Sequence, residues 1–213
     1  MNYRMMIFDF DYTLGDSTAG IVLSANYALE KLGVEPKDQE QIKKTVGLTL
    51  KNTYAELAND TEEEKAILFQ KYFREKANDV MTTNTDLLPY TLDVFKRLKE
   101  ENCKVGIVTT KLHCRIQEIL EKFQATDYVD MIIGAEDVVV EKPSPEGLLY
   151  MIQAMEVRKQ EVLYIGDSLI DAMTAKNAGV DFVGVTTGTT SKEEFLKYPH
   201  KKILENLERI VEI

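Results

Sequence analysis

Residues 6 to 17 read MIFDFDYTLGDS, and this stretch decides the fold. Met6, Ile7 and Phe8 form an apolar run with no polar alternation, the mark of a strand covered on both faces. The run ends in Asp9, and a second carboxylate, Asp11, follows two positions later with Thr13 beyond it. In an open parallel sheet the ligand crevice lies at the carboxyl ends of the strands. Two negative charges placed there point to chemistry.

Similar runs recur along the chain: YRMMIFD at 3–9, KVGIVTT at 104–110, YVDMIIG at 128–134, EVLYIGD at 161–167 and DFVGVTT at 181–187. With helical segments between them, they predict an α/β, doubly wound parallel-sheet core. The first two runs are separated by far more chain than one crossover helix requires. From Ser17 to Met81 the pattern is helical throughout, with Asp38/Gln41 and Thr61/Glu64 spaced as helix-start pairs. The expected organisation is therefore a core of 1–15 and 82–213, with an all-helical domain at 16–81 inserted into the first β-to-α connection. The segment PYTLDVFKRLKEENC then resumes the core as a covering helix, its Leu92, Phe95 and Leu98 at helical spacing.

Composition narrows the function. The 213 residues are 44% hydrophobic and 29% charged, enough for a real core. A formal net charge of -10 repels phosphate backbones and anionic lipid, so neither nucleic acid nor membrane is an expected partner. No run of apolar residues is long enough to span a bilayer, and the early charged motif does not fit a signal peptide, so the expected location is cytoplasmic. Cys103 and Cys114 lack metal or disulfide spacing and are read as reduced thiols. His113 and His200 sit in no metal motif, which leaves carboxylates to carry catalysis.

Several polar groups are expected to converge at the strand ends. Asp9 and Asp11 follow the first run, Thr109 and Thr110 end the second, and Asp167 ends the fourth, with Asp171 one helical turn further on. Lys142 lies on the Pro-stiffened loop EKPSPE. Each has an ordinary structural explanation alone, as a cap, a turn or a surface loop. Together, three carboxylates in one crevice repel one another unless a cation and a lysine neutralise them. Mg2+ suits such a site, because it takes a few carboxylate or carbonyl oxygens and shares a bound phosphate. A carboxylate can also attack phosphorus, with a second one serving as acid and base. A calcium loop is set aside, since its sixth and twelfth positions here hold Leu14 and Gly20 instead of Gly and Glu. A phospho-aspartate signalling domain remains the non-enzyme alternative, although it would lack the helical insertion.

In order, DFDYT at 9–13, Thr109 in GIVTTK, Lys142 in EKPSPE and GDSLID at 166–171 resemble the four motifs of the haloacid dehalogenase superfamily of phosphohydrolases. The resemblance implies Asp9 as nucleophile and metal ligand, and Asp11 as general acid and base with its carbonyl on the metal. It implies Thr109 as a phosphate donor, Lys142 as the group steadying nucleophile and phosphate, and Asp167 as the completing metal ligand. Asp171 would act as a ligand through water or as an orienting group. Dehalogenases of the family lack an acid at position 11, so phosphoryl transfer is expected. Tyr12 stands where the family usually has Gly, and Thr110 where Asn is common.

The helical insertion resembles the small cap of the phosphoglycolate phosphatase branch. Substrate-binding residues are expected at Phe10, Thr110, Gly47 and Thr49, the last two in KKTVGLTLKN at 43–52. That loop either faces the substrate or presents lysines 43, 44 and 51 to solvent. A β-phosphoglucomutase-type mutase, the nearest alternative, would carry His and Arg where this chain has Ile21 and Leu50, and Leu50 cannot bind a second phosphate. Inorganic pyrophosphatase is a further alternative. The expectation is an Mg2+-dependent phosphatase acting on a small phosphorylated metabolite, with no sequence signal for oligomeric state.

Overall fold

The computed structural model describes residues 3–213. Ser17–Asp86 forms one compact unit, and the flanking segments together form the other.

The larger unit is built on six strands: β1 (Met5–Phe8), β4 (Lys104–Val108), β5 (Met131–Ile133), β6 (Val162–Gly166), β7 (Asp181–Val185) and β8 (Lys202–Leu204). They lie in the order β5-β4-β1-β6-β7-β8, and every neighbouring pair is parallel. Residues along a strand alternate between two cores, which is why the runs are apolar without a break. Met6, Phe8, Val105, Ile107, Leu163 and Ile165 enter one core, with α5 (Thr91–Glu100) and α6 (His113–Lys122). Met5, Ile7, Val108, Val162 and Tyr164 enter the other, against α7 (Glu146–Ala154) and α8 (Leu169–Ala178). The short α9 (Lys192–Phe195) adds Phe195 to this second core.

Three sequence expectations need adjustment here. The edge strand β8 is absent from the expected set, because three residues that open on a lysine and sit between Lys201 and Glu205 show no measurable periodicity. The strands also end sooner than their apolar runs: β4 stops at Val108, ahead of Thr109 and Thr110, and β5 begins only at Met131. Finally, the helical unit continues past 81 to Asp86. The Asn84 amide donates to the Val80 and Met81 carbonyls at 3.1 and 3.2 Å. Thr85 Oγ1 lies 2.8 Å from the Met81 carbonyl and 2.9 Å from Ser17 Oγ, tying this segment to the helices.

The helical unit contains α1 (Thr18–Lys31), α2 (Gln39–Lys43), α3 (Leu50–Ala58) and α4 (Glu63–Val80). Its core gathers Ile21, Ala25, Leu29, Ile42, Tyr54 and Phe69. Asp38 and Gln41 form the expected capping box on α2. At α4 the expected Thr61/Glu64 pair does not form. Glu62 is the N-cap residue, and the Asp60 carboxylate takes its amide at 2.9 Å. Asp60 also receives Tyr54 and Lys65, so a better acceptor displaces the Thr61 hydroxyl. The strands β2 (Gly15–Asp16) and β3 (Asp86–Leu87) form a separate two-stranded sheet. Among the described residues no helix is long and apolar enough to cross a membrane.

Candidate active site

Three adjacent strands end in a polar residue. Asp9 directly follows β1, Thr109 follows β4 and Asp167 follows β6, and the register aligns Phe8 with both Ile107 and Ile165. The Asp9 amide donates to the Ile165 carbonyl at 2.8 Å, and the Thr109 amide to the Ile133 carbonyl at 3.0 Å. All three side chains are buried. Backbone pairing thus fixes their positions before any side-chain contact forms.

Lys142 reaches this point from the loop that precedes α7. The Glu146 carboxylate accepts the Val139 and Val140 amides at 2.7 and 3.0 Å, and Asn177 donates to the Pro143 carbonyl at 2.9 Å, which anchors the loop at both ends. The Lys142 ammonium donates to Asp9 Oδ1 at 2.6 Å, to Asp171 Oδ1 at 2.7 Å and to the Tyr164 hydroxyl at 3.3 Å. Its three protons are therefore all used. Tyr164 in turn donates to Asp171 Oδ1 at 2.9 Å. Asp171 Oδ2 accepts the Ser168 hydroxyl at 2.5 Å and the Ser168 amide at 3.1 Å, closing a capping box at the start of α8.

The electrostatics of this cluster are short of positive charge. Burial pushes the Asp9 carboxyl up to about 7, with Lys142 opposing and the Asp171 charge adding to the shift. Asp167 is raised well above the usual carboxylate range by burial and then by the charges of Asp171 and Asp9. Burial works against the Lys142 charge, but Asp171 and Asp9 outweigh it and hold the ammonium well above its ordinary value. Burial also raises the Tyr164 hydroxyl, so it stays a neutral donor. Oxygens of Asp9, Asp167 and Asp171 all lie within 4.8 Å of one another. Buried carboxylates that outnumber the one ammonium among them suit a divalent cation, which takes carboxylate oxygens as ligands. Gly188 preserves the space, since a Cβ there would come within 1.8 Å of Asp167 Oδ2.

Asp11 sits in a tight turn in which the Phe10 carbonyl accepts the Thr13, Leu14 and Gly15 amides at 3.2, 2.8 and 3.0 Å. Tyr12 adopts a φ of 60°, the left-handed region that favours glycine. This explains why glycine is usual at the position in proteins that share the motif. Here the strain, on the order of 1 kcal/mol, is borne by fixed partners: the Tyr12 amide donates to the Gly15 carbonyl at 2.7 Å, and Thr187 Oγ1 donates to the Tyr12 carbonyl. Thr13 Oγ1 lies 3.4 Å from Asp167 Oδ1. Asp11 Oδ2 accepts from the Lys111 ammonium at 2.7 Å, while the buried Oδ1 has no partner among the described residues.

The expected site residues therefore divide. Asp9, Asp167, Asp171 and Lys142 form one bonded or near-contact cluster, and Lys111 links Asp11 to Thr109 by donating its amide to Thr109 Oγ1 at 3.2 Å. Phe10 is a correction. Its ring is fully buried in the core with Phe8 and Phe95, because the side chain alternates inward where Asp9 and Asp11 do not, so only its backbone is left to meet a substrate. Thr110 is half-buried beside Thr109. Gly47 and Thr49 belong to the helical unit, where Gly47 turns with a φ of 90° and Thr49 caps α3 by accepting the Asn52 amide at 3.2 Å. Lys43 and Lys51 pair with Glu40 and Glu63, as a solvated face requires. Sequence reasoning missed Tyr164, Ser168 and Lys111. The S-x-x-D spacing of Ser168 and Asp171 was a readable signal, whereas Tyr164 looks like any strand residue.

A family model for haloacid dehalogenase-like hydrolases matches residues 6–185. The chain belongs to this family. A Bacteroides fragilis structure assigned to the haloacid dehalogenase-like hydrolases is 41% identical, with a TM-score of 0.95 over 98% of this chain and 99% of that one. A Clostridium difficile structure assigned as a phosphatase is 28% identical, with a TM-score of 0.84 over 100% of this chain and 98% of that one. The phosphoglycolate phosphatase of Shigella boydii serotype 4 is 29% identical over 206 residues, covering 87% of this chain and 82% of that protein. This haloacid dehalogenase-like hydrolase is thus a phosphoric monoester hydrolase resembling phosphoglycolate phosphatase.

Proposed function

We propose that this hydrolase is an Mg2+-dependent phosphatase for a small, phosphoglycolate-like ester and works through a phosphorylated Asp9. The observation that carries the reading is the Lys142 ammonium held between Asp9 and Asp171, beside an Asp167 carboxylate that has no ion pair of its own among the described residues. Asp9, Asp167 and the Asp11 carbonyl would hold the metal. Asp171 has both oxygens occupied by Lys142, Tyr164 and Ser168, so its role is to position Lys142, and not to ligate directly.

Lys142 holds Asp9 Oδ1, which leaves Oδ2 to attack phosphorus. The new O–P bond forms as the ester O–P bond breaks, and Asp11 gives a proton to the departing oxygen. Asp11 then takes a proton from water, which attacks the phosphorylated Asp9 and frees inorganic phosphate. Thr109 and Lys142 donate to the phosphoryl oxygens. Bound Mg2+ supplies the positive charge that lets a phosphate dianion approach a carboxylate. Hydrolysis is favoured over phosphosugar transfer by Ile21 and Leu50, which pack in the helical unit's apolar core where a mutase needs His and Arg.

Phosphate release from phosphoglycolate, pyrophosphate, sugar phosphates and nucleotides, with and without Mg2+, tests the reading. Phosphoglycolate is expected to lead the panel. A lead for pyrophosphate would reassign the substrate, and no hydrolysis of any ester would reject the phosphatase.

Metal binding has its own pH signature. Raised carboxyl pKa values mean that the folded protein holds protons at Asp9 and Asp167 more tightly than the unfolded chain, so without metal these groups cost stability as pH rises from about 4 through about 7. Mg2+ competes with those protons. The Tm gain on adding Mg2+ is therefore expected to be larger at pH 8 than at pH 6, and an equal gain would remove these carboxylates from the metal site.

Tyr164→Phe keeps the ring packing and deletes the hydroxyl. A loss of about tenfold in kcat, with the Mg2+-dependent Tm gain retained, is the expected result of loosening Lys142 and Asp171. Unchanged kcat would show that Asp171 and Ser168 suffice.

A further inference from the structure

The two lysines of the site differ in how much bonding capacity they have left. Lys142 spends all three ammonium protons on Asp9, Asp171 and Tyr164, and its side chain is 4% exposed. Lys111 bonds only Asp11 among the described side chains, and its side chain is 10% exposed. Two of its protons remain for a ligand.

The backbone of Lys111 is fixed on both sides. Its amide donates to Thr109 Oγ1 at 3.2 Å, and its carbonyl accepts the Ala135 amide at 3.0 Å. The ammonium is thus presented at a defined place, 2.7 Å from Asp11 Oδ2. Asp11 Oδ1 is buried and has no partner among the described residues, and in the phosphatase reading the Asp11 carboxyl gives the proton to the ester oxygen. A proton-transferring oxygen must come within about 3 Å of its target, which puts the Lys111 ammonium within roughly 8 Å of the ester oxygen. A carboxylate on the leaving group's adjacent carbon falls inside that radius.

We propose that Lys111 is the specificity-determining residue that binds an anionic group on the alcohol part of the substrate, selecting phosphate monoesters whose ester carbon carries a carboxylate. The inference rests on the phosphatase reading and adds to it the residue that reads the leaving group. Charge explains the arrangement. The carboxylates of the site repel a substrate with a second anion, and a cation beside Asp11 reverses that penalty only for substrates that carry one.

The test compares phosphoglycolate with its uncharged isostere, phosphoglycolamide, in wild type, Lys111→Met and Lys111→Arg, each saturated with Mg2+. Wild type is expected to prefer the acid, and in Lys111→Met the ratio of kcat/KM for acid over amide should fall about tenfold or more, mainly through the KM of the acid. Lys111→Arg should keep most of the preference. Equal losses on both substrates in Lys111→Met would overturn the proposal, leaving Lys111 as a group that only positions Asp11. A wild type that hydrolyses both esters without preference also overturns it while the phosphatase reading survives. A wild type that hydrolyses neither rejects that reading and the inference together.

Discussion

Asp9→Asn is expected to lower kcat by at least about 10^4-fold while leaving the protein folded. An amide oxygen is a poor nucleophile, and no nearby group can replace Asp9, because Asp171 has both oxygens occupied and Asp167 shares the same deficit of positive charge. The stability side of the experiment separates chemistry from folding. Burial already pushes the Asp9 carboxyl up to about 7, so its ionised form costs stability at pH 8 without metal, and an uncharged Asn removes that cost. The metal-free Tm of Asp9→Asn at pH 8 should therefore be no lower than that of wild type. Acid-quenched labelling with radioactive substrate should trap phosphate on wild type and none on the variant. Residual turnover within 100-fold of wild type would make another residue the nucleophile.

Lys142→Met should impair both stability and activity. The substitution retains most of the aliphatic volume but removes the only ammonium among the described residues that is bonded to Asp9 and Asp171, leaving two buried carboxylates unopposed. Breaking a buried pair in this way costs about 3–5 kcal/mol, which for a chain of this length is a Tm loss on the order of 10 °C. The measurement is thermal unfolding in EDTA, where no cation can stand in for the lysine. Adding Asp171→Asn should recover part of the loss, because one of the stranded charges is then gone. Activity should fall at least about 10^3-fold in the single variant, and the double variant should not regain it, since phosphate and nucleophile still lack their donor. If the single variant melted with wild type, the Lys142 contacts would be incidental to the fold.

Much of this site was readable from the chain. Apolar runs without alternation marked the buried strands, and each of Asp9, Thr109 and Asp167 stood at the end of one, so parallel pairing alone brings them to one edge of the sheet. The fixed alternation of side chains, however, also carries Phe10 into the core, which the motif spelling hides. The same alternation turns Tyr164 toward α8 and makes a strand residue part of the lysine network. Its role depends on where Asp171 lies across the β6–α8 connection.

Local rules therefore determined every strand of the six-stranded sheet but β8, the helical insertion, the capping box at Asp38 and the list of carboxylates, because each rests on residues close in sequence. The tertiary structure alone decided how those carboxylates share their partners. Hydrogen-bonding capacity is finite, and only three-dimensional proximity shows that Tyr164, Ser168 and Lys142 use up Asp171, or that Lys111, far from Asp11 in the chain, pairs with it and keeps two protons in reserve.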